Sequence, residues 1–149
     1  PAQIFVAGVS TGALHAATYV FRPELMPPGT ARPAGAILLS GPYTFDAADP
    51  TKGELAYFGT DKARWPEMVV PGNVTRADIP VLFTTAEWDS ERYPGPFAQL
   101  FQELVEKHGA RPRFRQSLGH THVSQLLSIG TVDTSVSREI LDFIDRTTR

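Results

Sequence analysis

The sequence predicts an α/β fold, a parallel sheet of about four strands flanked by helices. Three observations point to it. Short apolar runs of strand length alternate with stretches of helical pattern. The runs end abruptly at turn-forming residues, as in "GVSTG" after the first and "SGP" after the second. Hydrophobic residues make up 42% of the 149 positions and charged residues 20%, enough to build a core within one domain of ordinary length.

Taken in order, residues 4–9 read as a buried strand. Residues 12–20 follow as a helix, rich in Ala13, Ala16 and Ala17, which favour helix and let it lie close to a sheet. Pro23, Pro27, Pro28 and Pro33 then impose a long loop. Residues 36–39 (AILL) are a second short strand. Residues 46–78 are rich in proline and glycine, with room for one short helix near 52–57. Residues 81–85 (VLFTT) form a third strand. Phe97, Leu100, Phe101, Leu104 and Val105 fall on one helical stripe, so residues 94–108 are expected to be helical, with Gly109 as the stop. Residues 113–118 form a fourth strand; Arg113 and Arg115 share one face, which suits a sheet edge. A short helix is expected over 123–129. A last amphipathic helix over 134–146 turns Val136, Ile140, Phe143 and Ile144 inward.

Composition excludes several classes. The chain has no cysteine, which removes disulfides, thiolate metal sites and a thiol nucleophile but does not fix the compartment. With 14 basic and 16 acidic residues the net charge is -2, without the basic excess of a nucleic-acid surface. No apolar run approaches the roughly 20 residues of a membrane span. Asp46, Asp49 and Asp61 lack the spacing and histidine company of a metal site. Neither a metal nor an organic cofactor is expected. Asn73-Val74-Thr75 is a glycosylation sequon of the kind that arises often by chance. Arg111, Arg113 and Arg115 read as solvated edge charges rather than an anion site. Tyr43, Phe45, Tyr57, Phe58, Trp65 and Met68 crowd the irregular middle, either lining a cleft or covering the core.

The chemistry concentrates at Gly8-Val9-Ser10-Thr11-Gly12. A bare G-x-S-x-G is more often a plain turn than a catalytic one. Here a strand precedes it and a helix follows, the setting of a nucleophile elbow. In that arrangement the serine occupies a strained turn and its hydroxyl projects clear of the backbone. Side chains at either flanking position are expected to collide with strand or helix, hence the glycines. The helix N-terminus favours developing negative charge, and the Thr11 N–H is the expected oxyanion donor.

A serine hydroxyl needs a base. His15 lies on the helix after the elbow and His108 at the end of an amphipathic helix, where packing or the helix dipole accounts for each. His120 and His122 stand in "GHTH", expected to be a loop at the C-terminal edge of the sheet, where functional residues collect. His122, just before a helix, is the preferred base, with His120 the alternate. The base in turn needs a carboxylate. Asp89 and Glu87 both follow the third strand. Asp89 is preferred, because Ser10, Asp89 and His122 then run in the Ser…Asp…His chain order of the hydrolase architecture.

In "AGVSTGALHAATYV", "TTAEWDSERY" and "GHTHVSQLLSIGT" the sequence resembles the α/β-hydrolase superfamily, in particular its carboxylesterase and feruloyl-esterase-like branch. The resemblance runs from the elbow strand to the last helix. It implies Ser10 as nucleophile, Asp89 as acid and His122 as base, acting on a small-molecule ester through an acyl-enzyme. An amidase or formamidase on the same triad, or a non-catalytic hydrolase fold used for binding, are the alternatives.

Two departures matter. Thr11 stands where alanine is usual, a mild change because only its backbone N–H is used. Members also carry about four further strands and an HGGG-like oxyanion loop ahead of the elbow. The chain therefore reads as the C-terminal half of a hydrolase catalytic domain, residues 1–149, whose natural N-terminus lies upstream of Pro1. The edge of the elbow strand is expected to be bare, open to that N-terminal half or to a second copy. With half the oxyanion hole missing, weak or no esterase activity is expected of the chain alone.

Overall fold

The computed structural model describes residues 3–149. Four strands, β1 (Phe5–Val9), β2 (Gly35–Leu39), β3 (Val81–Trp88) and β4 (Arg113–Thr121), form one parallel sheet in the spatial order β1-β2-β3-β4. The expected α/β architecture is therefore present. β1 and β4 are the outer strands, and among the described residues no strand pairs with the free edge of β1.

Parallel neighbours need crossovers, and right-handed crossovers added in one direction fall on one face of the sheet. That face carries α1 (Thr11–Phe21) and α4 (Pro94–Glu106). It also carries the long β2–β3 connection with its short helices α2 (Lys52–Phe58) and α3 (Trp65–Met68). Ala36, Leu38, Val81 and Phe83 point into this layer and meet Ala13, Ala17 and Val20 of α1 and Leu100 and Leu104 of α4. The two-residue period of a strand sends Ile37, Leu39 and Leu82 to the opposite face. There α6 (Ser135–Thr148), which follows the short α5 (Ser124–Leu127), covers them with Val136 and Phe143, flanked by Ile140 and Ile144 as expected.

Several boundaries shift for identifiable reasons. Val105 is exposed rather than packed, because it stands roughly 90° around the helix from the centre of the Phe97–Leu100–Phe101–Leu104 stripe. β4 continues past its expected end at 118 to Thr121. Gly119 takes φ 75°, its N–H donates to Glu87 Oε2 (2.6 Å), and a register shift between Ala86 and Trp88 absorbs the irregularity. His120 consequently lies in a strand, not in a loop. Arg113 and Arg115 do sit on an edge strand, but each is paired with α6, to Asp142 (2.6 Å) and Glu139 (2.7 Å). The expected helix over 123–129 shrinks to the single turn of α5.

The middle segment is held by tertiary hydrogen bonds rather than by periodicity. Thr51 and Glu54 form a capping box on α2. The buried Arg22 guanidinium donates to the Glu67 and Val69 carbonyls, and Glu103 on α4 accepts from the Gly72 N–H (2.6 Å). The segment's aromatic residues divide: Tyr43 and Trp65 are buried in the core, Phe45 and Tyr57 line a cleft, and Phe58 belongs to the core and also reaches the cleft wall. Burial pushes the Tyr43 phenol far above its ordinary pKa. Asn73 of the sequon directs its side-chain amide to the Pro66 and Val69 carbonyls.

Candidate functional site

β1 ends at Val9, and the Ser10 N–H continues the ladder by donating to the Leu39 carbonyl (2.9 Å). The chain then turns sharply. Ser10 adopts φ 55° and ψ −128°, a region that side-chain-bearing residues rarely occupy. Its carbonyl accepts from Ala13 (2.9 Å), so Ser10 is the N-cap of α1, yet its hydroxyl makes no capping bond. Thr11 is the first helical residue, and its N–H has no acceptor within the helix.

The two glycines of the motif differ. A Cβ on Gly8 would lie 2.6 Å from the Ala13 nitrogen and nearer still to the Gly12 carbonyl. The close crossing of β1 and α1 therefore requires glycine at position 8. A Cβ on Gly12 would meet nothing within 4 Å. The expectation that both positions are sterically closed is corrected: Gly12 lies on the outer side of the first helical turn, where there is space.

His122 follows β4. Its Nδ1 lies 2.8 Å from Asp89 Oδ1, and the Asp89 side chain is 1% exposed. Its other nitrogen, Nε2, is buried and has no hydrogen-bond partner. Ser10 and His122 are thus not hydrogen-bonded to each other. What they share is the C-terminal edge of the sheet. Val9 pairs with Leu39 and Leu39 with Thr84, and Asp89 stands just past the end of β3. Tyr93 stacks on the imidazole at 4.2 Å between ring centroids and 24° between planes.

The alternates go elsewhere. Glu87 is exposed and bonds the Gly119 N–H. His120 is buried between Ser124 (3.2 Å) and Ser135 (3.0 Å), with Asp133 at 3.3 Å. Donation from Ser135 to Asp133 holds that carboxyl below its usual range. The cluster ties the end of β4 to the start of α6. His15 is exposed against Tyr57, and His108 lies near Glu103.

Sequence reasoning missed the residues behind Asp89. Ser40 donates to Asp89 Oδ2 (2.5 Å), and the Ala86 N–H donates to the same oxygen (2.8 Å). Gln125, fully buried, donates to Ser40 Oγ (2.5 Å) and accepts from Thr84 Oγ1 (3.1 Å). "SGP" after β2 was readable only as the end of a strand, and nothing in "VSQLL" marks Gln125 as buried.

An open cleft of about 900 Å³ reaches from Thr11 to Tyr93. Leu14, Phe45, Tyr57 and Phe58 form much of its wall, and Arg92 and Glu54, 3.5 Å apart, stand at it too. It therefore adjoins both the Thr11 N–H and the ring stacked on His122.

The same architecture occurs in solved esterases. The fold of this chain is similar to part of theirs. Esterase 2 of the planctomycete Thermogutta terrifontis with propionate bound superposes with a TM-score of 0.63 at 22% identity, covering 96% of this chain and 54% of the esterase. Its apo form gives 0.64 at 24% identity, covering 98% and 55%. Esterase PE8 gives 0.56 at 17% identity, covering 99% and 51%. The chain thus spans about half the length of these esterases. No protein-family model and no curated protein matches it.

Proposed function

We propose that the chain carries the nucleophile, acid and base of a serine hydrolase of the α/β-hydrolase superfamily, acting on carboxylic esters. The observation that carries this reading is the Asp89–His122 pair. Its free Nε2 is on the same sheet edge as a strained serine at a helix N-terminus.

In this mechanism Ser10 Oγ attacks the ester carbonyl carbon and its proton passes to His122 Nε2. Asp89 holds the imidazole with Nδ1–H toward the carboxylate and balances the imidazolium. The carbonyl oxygen becomes an oxyanion and takes the Thr11 N–H, at the positive end of α1. As the tetrahedral intermediate collapses, the C–O bond breaks and Nε2 returns the proton to the departing alcohol. Water then gives a proton to Nε2, attacks the acyl carbon and releases the acid, and Ser10 recovers its hydrogen. The cleft beside Thr11 and Tyr93 has room for an ester with an apolar substituent.

If this chain is the C-terminal half of the catalytic domain, the second oxyanion donor comes from the N-terminal half, beyond the free edge of β1. Removing one such donor typically lowers the rate about a hundred- to a thousandfold. The test is covalent labelling with a fluorophosphonate. Modification of Ser10, absent in Ser10→Ala and slowed in His122→Ala, is expected. An ordered, folded chain that remains unmodified, or reacts at another residue, overturns the proposal.

A further inference from the structure

Only two non-glycine residues among those described have positive φ, and both are serines at the tips of adjacent strands. Ser10 ends β1 at φ 55° and Ser40 ends β2 at φ 45°. The Ser10 turn exposes a hydroxyl, whereas the Ser40 turn buries one, leaving the residue 1% exposed. The Ser40 backbone N–H holds the Thr84 carbonyl (2.9 Å), and its Oγ reaches across β3 to Asp89.

The direction of every hydrogen bond around that oxygen is determined. Gln125 Nε2 can only donate, and it points at Ser40 Oγ from 2.5 Å. The Ala86 N–H, at 3.2 Å, also can only donate. The single Ser40 proton is therefore left for Asp89 Oδ2. The Gln125 amide is oriented in turn, because Thr84 Oγ1 donates to its Oε1. The result is a one-way chain from Thr84 to Gln125 to Ser40 to Asp89. Two donors on Oδ2, Ser40 and Ala86, leave Oδ1 facing the imidazole. A fully buried glutamine so placed has no solvent partner to fall back on, and its polar atoms are committed to this chain.

We propose that Ser40, oriented by Gln125 and Thr84, is a positioning residue that fixes the rotamer of Asp89 and so the tautomer and aim of His122. The proposal rests on the reading of Asp89 and His122 as the acid–base pair, and its test separates the two. The measurement is the low-field proton resonance of His122 Nδ1–H in the full chain with labelled histidine, assigned by its loss in His122→Ala.

In the unsubstituted chain a resonance slow to exchange with water is expected. Ser40→Ala should move it toward the ordinary imidazole position and speed its exchange by about tenfold or more, as for a lost hydrogen bond to a charged group. Thr84→Val, which keeps the shape of a buried side chain, should produce the same change to a smaller degree, and it decides the matter if Ser40→Ala does not fold. Dispersed amide spectra report the fold in each case. No such resonance in the folded parent chain removes the acid–base pair and the proposal with it. A resonance present in the parent and unaltered in the folded variants leaves the pair standing and overturns the role of Ser40.

Discussion

Replacing Gly8 by alanine tests the packing that shapes the elbow. The new methyl group would sit 2.6 Å from the Ala13 nitrogen and nearer still to the Gly12 carbonyl, both backbone atoms of the first turn of α1. Carbon contacts settle near 3.5–4.0 Å, so α1 must retreat by roughly 1–2 Å. That helix is locked by Ala13, Ala17, Val20 and Phe21, each with no exposed surface, and cannot retreat without opening the core. Overpacking of this kind costs about 1–3 kcal/mol, more where backbone must move. In a chain of this size each 1 kcal/mol corresponds to roughly 2–4 °C in Tm, so Gly8→Ala is expected to lower Tm by about 2–12 °C. Gly12→Ala is the internal control. It adds a methyl group to open space in a helix, where alanine is preferred to glycine by about 0.5–1 kcal/mol, and Tm should hold or rise. Thermal unfolding followed by circular dichroism measures both. Equal Tm values for the two variants, or a larger loss for Gly12→Ala, would refute the argument that contact with α1 dictates glycine at position 8.

Asp89→Asn should slow fluorophosphonate labelling of Ser10 by about 10³–10⁴-fold, since the amide presents the wrong partner to Nδ1, while His120→Ala should change labelling far less and Tm more. Phe83→Ala, which empties the contact with Tyr43 and Phe97, should destabilise by about 3–5 kcal/mol in urea unfolding. Donation from Arg113, and then from Arg146, holds the Asp142 carboxyl below its usual range. The folded chain therefore binds this proton less readily than the unfolded one. The contribution is complete above the ordinary carboxylate pKa and drains away as pH falls through the lowered folded value. Asp142→Asn should flatten the acid limb of the stability profile and leave the remainder of that limb in place; an unchanged limb counts against the Arg113 contact.

The strands and long helices were legible because each depends on its own residues. The AILL and VLFTT runs, the alanines of α1 and the inward stripe of α6 state their partners by type and spacing. The elbow was legible for the same reason, being five consecutive residues. The route between β2 and β3 was not, because it is set by distant groups, among them the Arg22 guanidinium and the Glu103 carboxylate. The end of β4 was hidden by Gly119, a breaker in sequence whose N–H finds Glu87 in space. The chain from Thr84 to Asp89 spans four separate segments, so no window of sequence contains it. Val105 was misplaced because a stripe gives the direction of burial but not the width of the surface it meets.

The crossovers all lie on one side of the sheet, which leaves α6 and the single turn of α5 to cover the other among the described residues. Ile37, Leu39 and Leu82 are kept dry there by α6, whose grip combines Phe143 and Val136 with the Arg113–Asp142 and Arg115–Glu139 pairs. Salt or acid loosens the ionic half of that grip without touching the sheet. Partial undocking of this one element would bare a flat apolar strip while the remaining layers stay folded. Ile37, Leu39 and Leu82 therefore depend for their burial on one surface helix rather than on the layer that holds the crossovers.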